Sequence, residues 1–155
     1  MMNPSHDSSL AALLTATAGQ ARTSRLFASL QIHPALLRQR QELVSRAELA
    51  QALLMLLFED VQRRVPMAQA YVRDTVAAGQ RIVLDHGALR TVLAPCGALP
   101  AGEQAFRRIL EPLGYEVRDL YPLPALGMTG RAYTHRDLPA DIAQYFVSEL
   151  HPERF

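Results

Sequence analysis

The order of apolar and polar positions divides the chain into a helical stretch followed by a stretch of alternating strands. Residues 1–9 are polar and read as a frayed terminus. Ser9–Leu30 is rich in Ala, Leu and Thr and predicts a short helix. Ile32-His33-Pro34 breaks the pattern, because the residue before a proline is driven out of the helical region. Ser45-Arg46-Ala47-Glu48 is a capping-box sequence: the hydroxyl accepts from the Glu48 amide while the carboxylate reaches back. It opens a helix over Ala47–Arg64, where Leu49, Leu53, Leu56 and Leu57 recur at helical spacing, and Pro66 closes it. Met67–Ala78 predicts another helix, with Tyr71 and Val72 inward and Gly79 as its stop.

The period then changes. Arg81–Leu93 is β-branched and apolar at both ends and predicts a strand. Pro95, Gly97 and Pro100 make a loop, and Ala101–Leu113 a helix with Phe106, Ile109, Leu110 and Leu113 on one face. Tyr115–Tyr121 sets Tyr115, Val117, Asp119 and Tyr121 against Glu116, Arg118 and Leu120, the alternation of a second strand. Pro122, Pro124, Gly127 and Gly130 predict a long turn, Arg131–Arg136 a third strand, Leu138-Pro139-Ala140 a turn, and Gln144–Leu150 a fourth strand. The fold class is therefore α+β: N-terminal helices followed by one βαβββ module. Residues 1–44 form a partly helical extension, 45–79 a helical region and 80–155 the module. A four-stranded sheet that buries one face against a single helix leaves the other bare, and that face calls for a partner sheet, a ligand or a lid.

Composition narrows the functional classes. The chain has 155 residues, 49% hydrophobic and 20% charged, an ordinary globular mixture. All 16 basic residues are arginine, balanced by 15 acids, so no broad positive field exists to attract nucleic acid or an anionic membrane. The arginines form no run and no aromatic stacking pattern accompanies them. One cysteine, Cys96, excludes an internal disulfide framework and a multi-cysteine zinc site. The longest apolar run, Ala52–Phe58, is far shorter than the roughly 20 residues of a membrane helix. The N-terminal region lacks Arg or Lys before its apolar stretch and contains Asp7, so the expected location is the cytoplasm rather than a secretory route.

Candidate chemistry concentrates in Asp85-His86-Gly87-Ala88-Leu89-Arg90-Thr91. On a strand His86, Ala88 and Arg90 point to one side, with Gly87, Leu89 and Thr91 to the other. His86 and Arg90 stand about 13 Å apart along the strand, with a small residue as floor between them. An imidazole beside a guanidinium suits a metal at the histidine and an anionic ligand whose far carboxylate meets the arginine. The competing readings are a core or surface histidine and a surface ion-pair arginine. Glu149 closes an apolar alternating strand on the face of Tyr145 and Val147, either as a functional carboxylate or as a solvated strand end. His135 and His151 are nominal ligands; His6 and His33 lie in loop-like context.

The segments Leu57–Gly79, RIVLDHGALRTVL, LEPLGYEVRDLY and YFVSELHPERF together resemble the N-terminal half of the 2-oxoadipate dioxygenase/decarboxylases (hydroxyglutarate synthases). That family lies in the vicinal oxygen chelate superfamily, with glyoxalase I and the extradiol dioxygenases. The resemblance spans roughly residues 50–155. It implies a βαβββ module that, in pairs, forms a cupped sheet around non-haem Fe(II) held by two histidines and one carboxylate. The histidine of the D-H-x-A-x-R motif is the first metal ligand and maps to His86. The arginine of that motif binds a substrate carboxylate and maps to Arg90. In glyoxalase-like relatives the first and last strands of a module each give a ligand, which would add Glu149. The implied reaction takes a 2-oxo dicarboxylate and O2.

One module offers one or two ligands where three are needed. Three explanations follow: an N-terminal portion of a longer enzyme, a chain that pairs with itself to build a glyoxalase-like lyase or isomerase, or an inactive metal-free binding or dimerisation module. The first is the expectation.

Overall fold

The computed structural model describes residues 7–95 and 97–155. His6 and Cys96 lie outside them, as does most of the stretch expected to fray. The chain divides into two compact units, Met1–Leu84 and Asp85–Phe155.

The first unit is helical: α1 (Ser9–Ala18), α2 (Gln20–Ser29), α3 (Arg46–Arg64) and α4 (Pro66–Ala77). The single helix expected over Ser9–Leu30 is two, because Gly19 sits at φ 85°, outside the helical region, and ends one helix while starting the next. Asp7–Ser9 are not frayed. Ser8 caps α1 by accepting from the Ala11 amide at 3.2 Å, and the Asp7 carbonyl accepts from the Arg40 amide at 3.0 Å. The capping box at α3 forms as expected, with the Glu48 carboxylate accepting from the Ser45 amide at 2.7 Å and the Ser45 hydroxyl from the Glu48 amide at 3.2 Å.

The buried face of α3 is not the leucine stripe. Ala47, Ala50, Gln51, Ala52, Leu54 and Met55 are buried, whereas Leu49 and Leu57 are exposed. Small residues let α1 and α3 approach closely, and the packing follows them. On α4, Val72 is buried but Tyr71 points outward. Gly79, at φ 75°, lies just beyond the end of α4.

The strand expected over Arg81–Leu93 is shorter. Ile82 exchanges backbone hydrogen bonds with Ser29 and Gln31, at 2.8 and 2.9 Å, so this stretch serves the helical unit. The second unit begins at Asp85 and holds β1 (His86–Val92), then α5 (Gln104–Leu110), β2 (Tyr115–Leu123), β3 (Met128–His135) and β4 (Gln144–Leu150). It is the expected βαβββ module. Its sheet runs β1-β4-β3-β2, with β1 parallel to β4 and the other pairs antiparallel.

Register assigns every side chain to a face. One face carries Gly87, Leu89 and Thr91 of β1, Tyr145, Val147 and Glu149 of β4, and Thr129, Arg131 and Tyr133 of β3. It packs under α5 and its flanking turns, with Leu110, Tyr115, Tyr133, Tyr145 and Val147 as core. Ile109 of α5, expected inward, is exposed. The other face carries His86, Ala88 and Arg90, then Phe146 and Ser148, then Gly130 and Ala132. The expected alternation of β2 holds only to Val117. A bulge between Val117 and Asp119 shifts the phase, so that Leu120 joins the α5 face and Asp119 and Tyr121 the other. The expected long turn shrinks, since Pro122 and Gly130 belong to strands.

Candidate metal and anion site

β1 brings His86 and Arg90 to the same face, and both are exposed. Pairing of β1 with β4 sets Ala88 beside Phe146 and Arg90 beside Ser148. The His86 Nδ1 lies 3.1 Å from the Asp85 carboxylate. An N–H donated there leaves Nε2 as the free lone pair, the orientation in which a carboxylate holds a metal-ligating histidine. His86 is only half-exposed, so the ring is accessible without being loose. Arg90 makes no ion pair or hydrogen bond with another described side chain.

Glu149 does not join them. It pairs in register with Thr91, not Arg90, and so projects from the α5 face, opposite His86. There it is buried and fully engaged: Oε2 accepts from the Glu103 amide at 2.7 Å, and Oε1 from Arg131 Nη1 at 3.2 Å. Within one chain a shared His86–Glu149 metal site is therefore not formed. Alternation places Glu149 with Tyr145 and Val147, but whether that face is bare or covered depends on a non-local register.

The other histidines among the described residues have structural partners. His135, fully buried, has Nε2 3.0 Å from the Leu113 carbonyl and packs edge-on against Tyr115. His151 Nε2 shares a 2.9 Å hydrogen bond with the Thr129 hydroxyl. His33 accepts from the Ala35 amide at 3.3 Å at the start of a short 3-10 turn.

A polar network under α5 was not legible in the sequence. The Tyr133 hydroxyl donates to Glu103, whose amide donates to Glu149, which in turn binds Arg131. Burial pushes the Glu103 carboxyl above the ordinary carboxylate range, with the charges of Arg131 and Arg107 partly opposing it. The folded protein holds this proton more tightly than the unfolded chain. Its contribution to stability is complete below about pH 4, the ordinary carboxylate range, and is lost as pH rises through the elevated value. Glu103→Gln keeps an acceptor for Tyr133 and is expected to flatten that dependence and to match or exceed the parent's stability at pH 7. Thermal unfolding of both proteins at pH 4 and pH 7 checks it.

Among the described residues no group of three or more His, Cys, Asp or Glu side chains is arranged to hold a metal ion. His86, oriented by Asp85, fits a divalent metal as one ligand; the others must come from elsewhere.

The class of fold is glyoxalase-like. The chain is similar to a protein of Ralstonia eutropha JMP134 assigned to the glyoxalase superfamily, whose crystal structure superposes with a TM-score of 0.90 at 49% identity. The match covers 100% of this chain and 48% of that protein, so the chain spans about half its length. No family model matches the chain, and no curated protein matches it.

Proposed function

We propose that the chain contributes one βαβββ module to a metal-dependent enzyme of the vicinal oxygen chelate type that acts on a 2-oxo dicarboxylate. The reading is carried by one observation: His86, with Nδ1 turned to Asp85, and Arg90, without a side-chain partner among the described residues, share the sheet face that α5 does not cover. The similarity to a glyoxalase-superfamily protein supports the metal-dependent class. The resemblance of the D-H-x-A-x-R stretch supports the finer assignment, conversion of 2-oxoadipate to 2-hydroxyglutarate.

His86 would hold the metal through Nε2, with the remaining ligands supplied by a second sheet facing this one. The bound metal, Fe(II) for this chemistry, supplies Lewis acidity and oxygen activation. Asp85 fixes the imidazole tautomer and keeps the ring aimed away from the strand. Arg90 receives the distal carboxylate about 13 Å along the strand, a span that rewards a dicarboxylate over a short mono-acid. Ala88 between them leaves the carbon chain room to lie on the sheet. The overall change balances as 2-oxoadipate plus O2 giving 2-hydroxyglutarate plus CO2.

Oxygen uptake tests the assignment. Purified protein supplied with Fe(II) and 2-oxoadipate is expected to consume one O2 and release one CO2 per 2-hydroxyglutarate formed, with Arg90→Ala raising KM by about 100-fold. Metal-dependent turnover without oxygen uptake would replace this reading with a glyoxalase-like lyase or isomerase. A protein that neither retains metal nor turns over, by itself or with a second module supplied, would leave a metal-free binding or dimerisation module.

A further inference from the structure

We propose that the Ser148 hydroxyl is a second anchor for the carboxylate that Arg90 receives, and that the pair selects a carboxylate over its amide. The inference rests on the reading of Arg90 as the anion receptor. Arg90 and Ser148 are register partners on β1 and β4, so their side chains leave the same face from neighbouring strands about 4.8 Å apart. Ser148 is only 9% exposed, yet its hydroxyl makes no hydrogen bond with another described residue and is not sealed from solvent.

The surroundings make that hydroxyl conspicuous. Its neighbours along β4 on this face are Phe146 and Leu150, and across β3 lies Gly130. The ring of Phe146 leans over Gly130, into the space a Cβ would take, and rests against Tyr121 at 5.5 Å between ring centres. Ser148 thus has apolar neighbours on β4, a bare backbone on β3 and a guanidinium on β1. A hydroxyl in such a frame adds nothing to the packing that an alanine would not, and its open side is free to bond an incoming group in place of water. Arg90 stands beside it in register, so a group received by the guanidinium lies within reach of this hydroxyl's strand position. A guanidinium and a hydroxyl on register partners of neighbouring strands both offer hydrogens to a ligand lying across them, and the group best suited to both is one that only accepts, a carboxylate. An amide NH2 directed at them would find no acceptor on the guanidinium.

Titration of the purified chain with adipate, followed by amide and arginine side-chain NMR, tests this without any catalytic turnover. Adipate is expected to shift signals of residues 88–92 and 146–150, and adipamide is not. Ser148→Ala is expected to weaken adipate binding about tenfold, and Ser148→Thr, which restores the hydroxyl, to return it to within about twofold. If Arg90→Gln abolishes binding while Ser148→Ala leaves it unchanged, the proposal for Ser148 falls and the reading of Arg90 stands. If adipate shifts nothing on β1 and β4, or if neither substitution alters binding, both fall.

Discussion

Glu149→Ala is expected to destabilise the second unit by about 3–5 kcal/mol, a large part of the total stability of a domain this size. The carboxylate is 4% exposed and joins two elements: it accepts from the Glu103 amide beside α5 and from Arg131 on β3. Its removal strands the partly buried Arg131 charge and frees the chain entering α5. Gly102, at φ 62°, records how close the contact is, since a Cβ there would collide with Glu149 Oε2. Glu149→Gln keeps an acceptor for the Glu103 amide and is expected to cost less than the alanine. Chemical denaturation followed by circular dichroism measures both. A stable Glu149→Ala protein that had lost its metal would instead restore Glu149 as a ligand.

The converse is expected of His86→Ala. The side chain is half-exposed on the face that α5 leaves uncovered, so stability should change by no more than about 0.5 kcal/mol. The metal should be lost. Removing an outer carboxylate partner typically lowers metal affinity about 10–100-fold, and removing the ligand itself should exceed that. Metal content of the protein as isolated, compared with the parent and with Asp85→Asn, reads the difference. Unchanged metal in His86→Ala would remove this residue from the proposed site.

Local chemistry in the sequence carried some elements well. The capping box at Ser45 and Glu48 and the fourth strand, Gln144–Leu150, lie where the residues place them. So does the common side of His86 and Arg90, because alternation along one strand needs no knowledge of its neighbours. What failed depended on distant partners. On α3 the inward face is built on Ala47, Ala50, Ala52, Leu54 and Met55, offset from the expected Leu49 and Leu57, because α1 packs there. The bulge after Val117 reversed the rest of β2, and no residue in that segment announces it. Glu149 was assigned to the right set of neighbours, yet only the register of β4 against β1 reveals that the set is covered by α5. The Glu103–Tyr133–Glu149–Arg131 network joins residues 46 positions apart in sequence and leaves no spacing signature.

The strand order has a bearing on how such a site would come into being. β1 lies at the rim of the sheet, with β4 on one flank and, among the described residues, no strand on the other. An incoming strand that docks on that rim would deliver its own side chains next to the imidazole in the same act. Assembly and ligation would then be a single equilibrium, and the apparent avidity for metal would climb with the concentration of whatever supplies the docking strand.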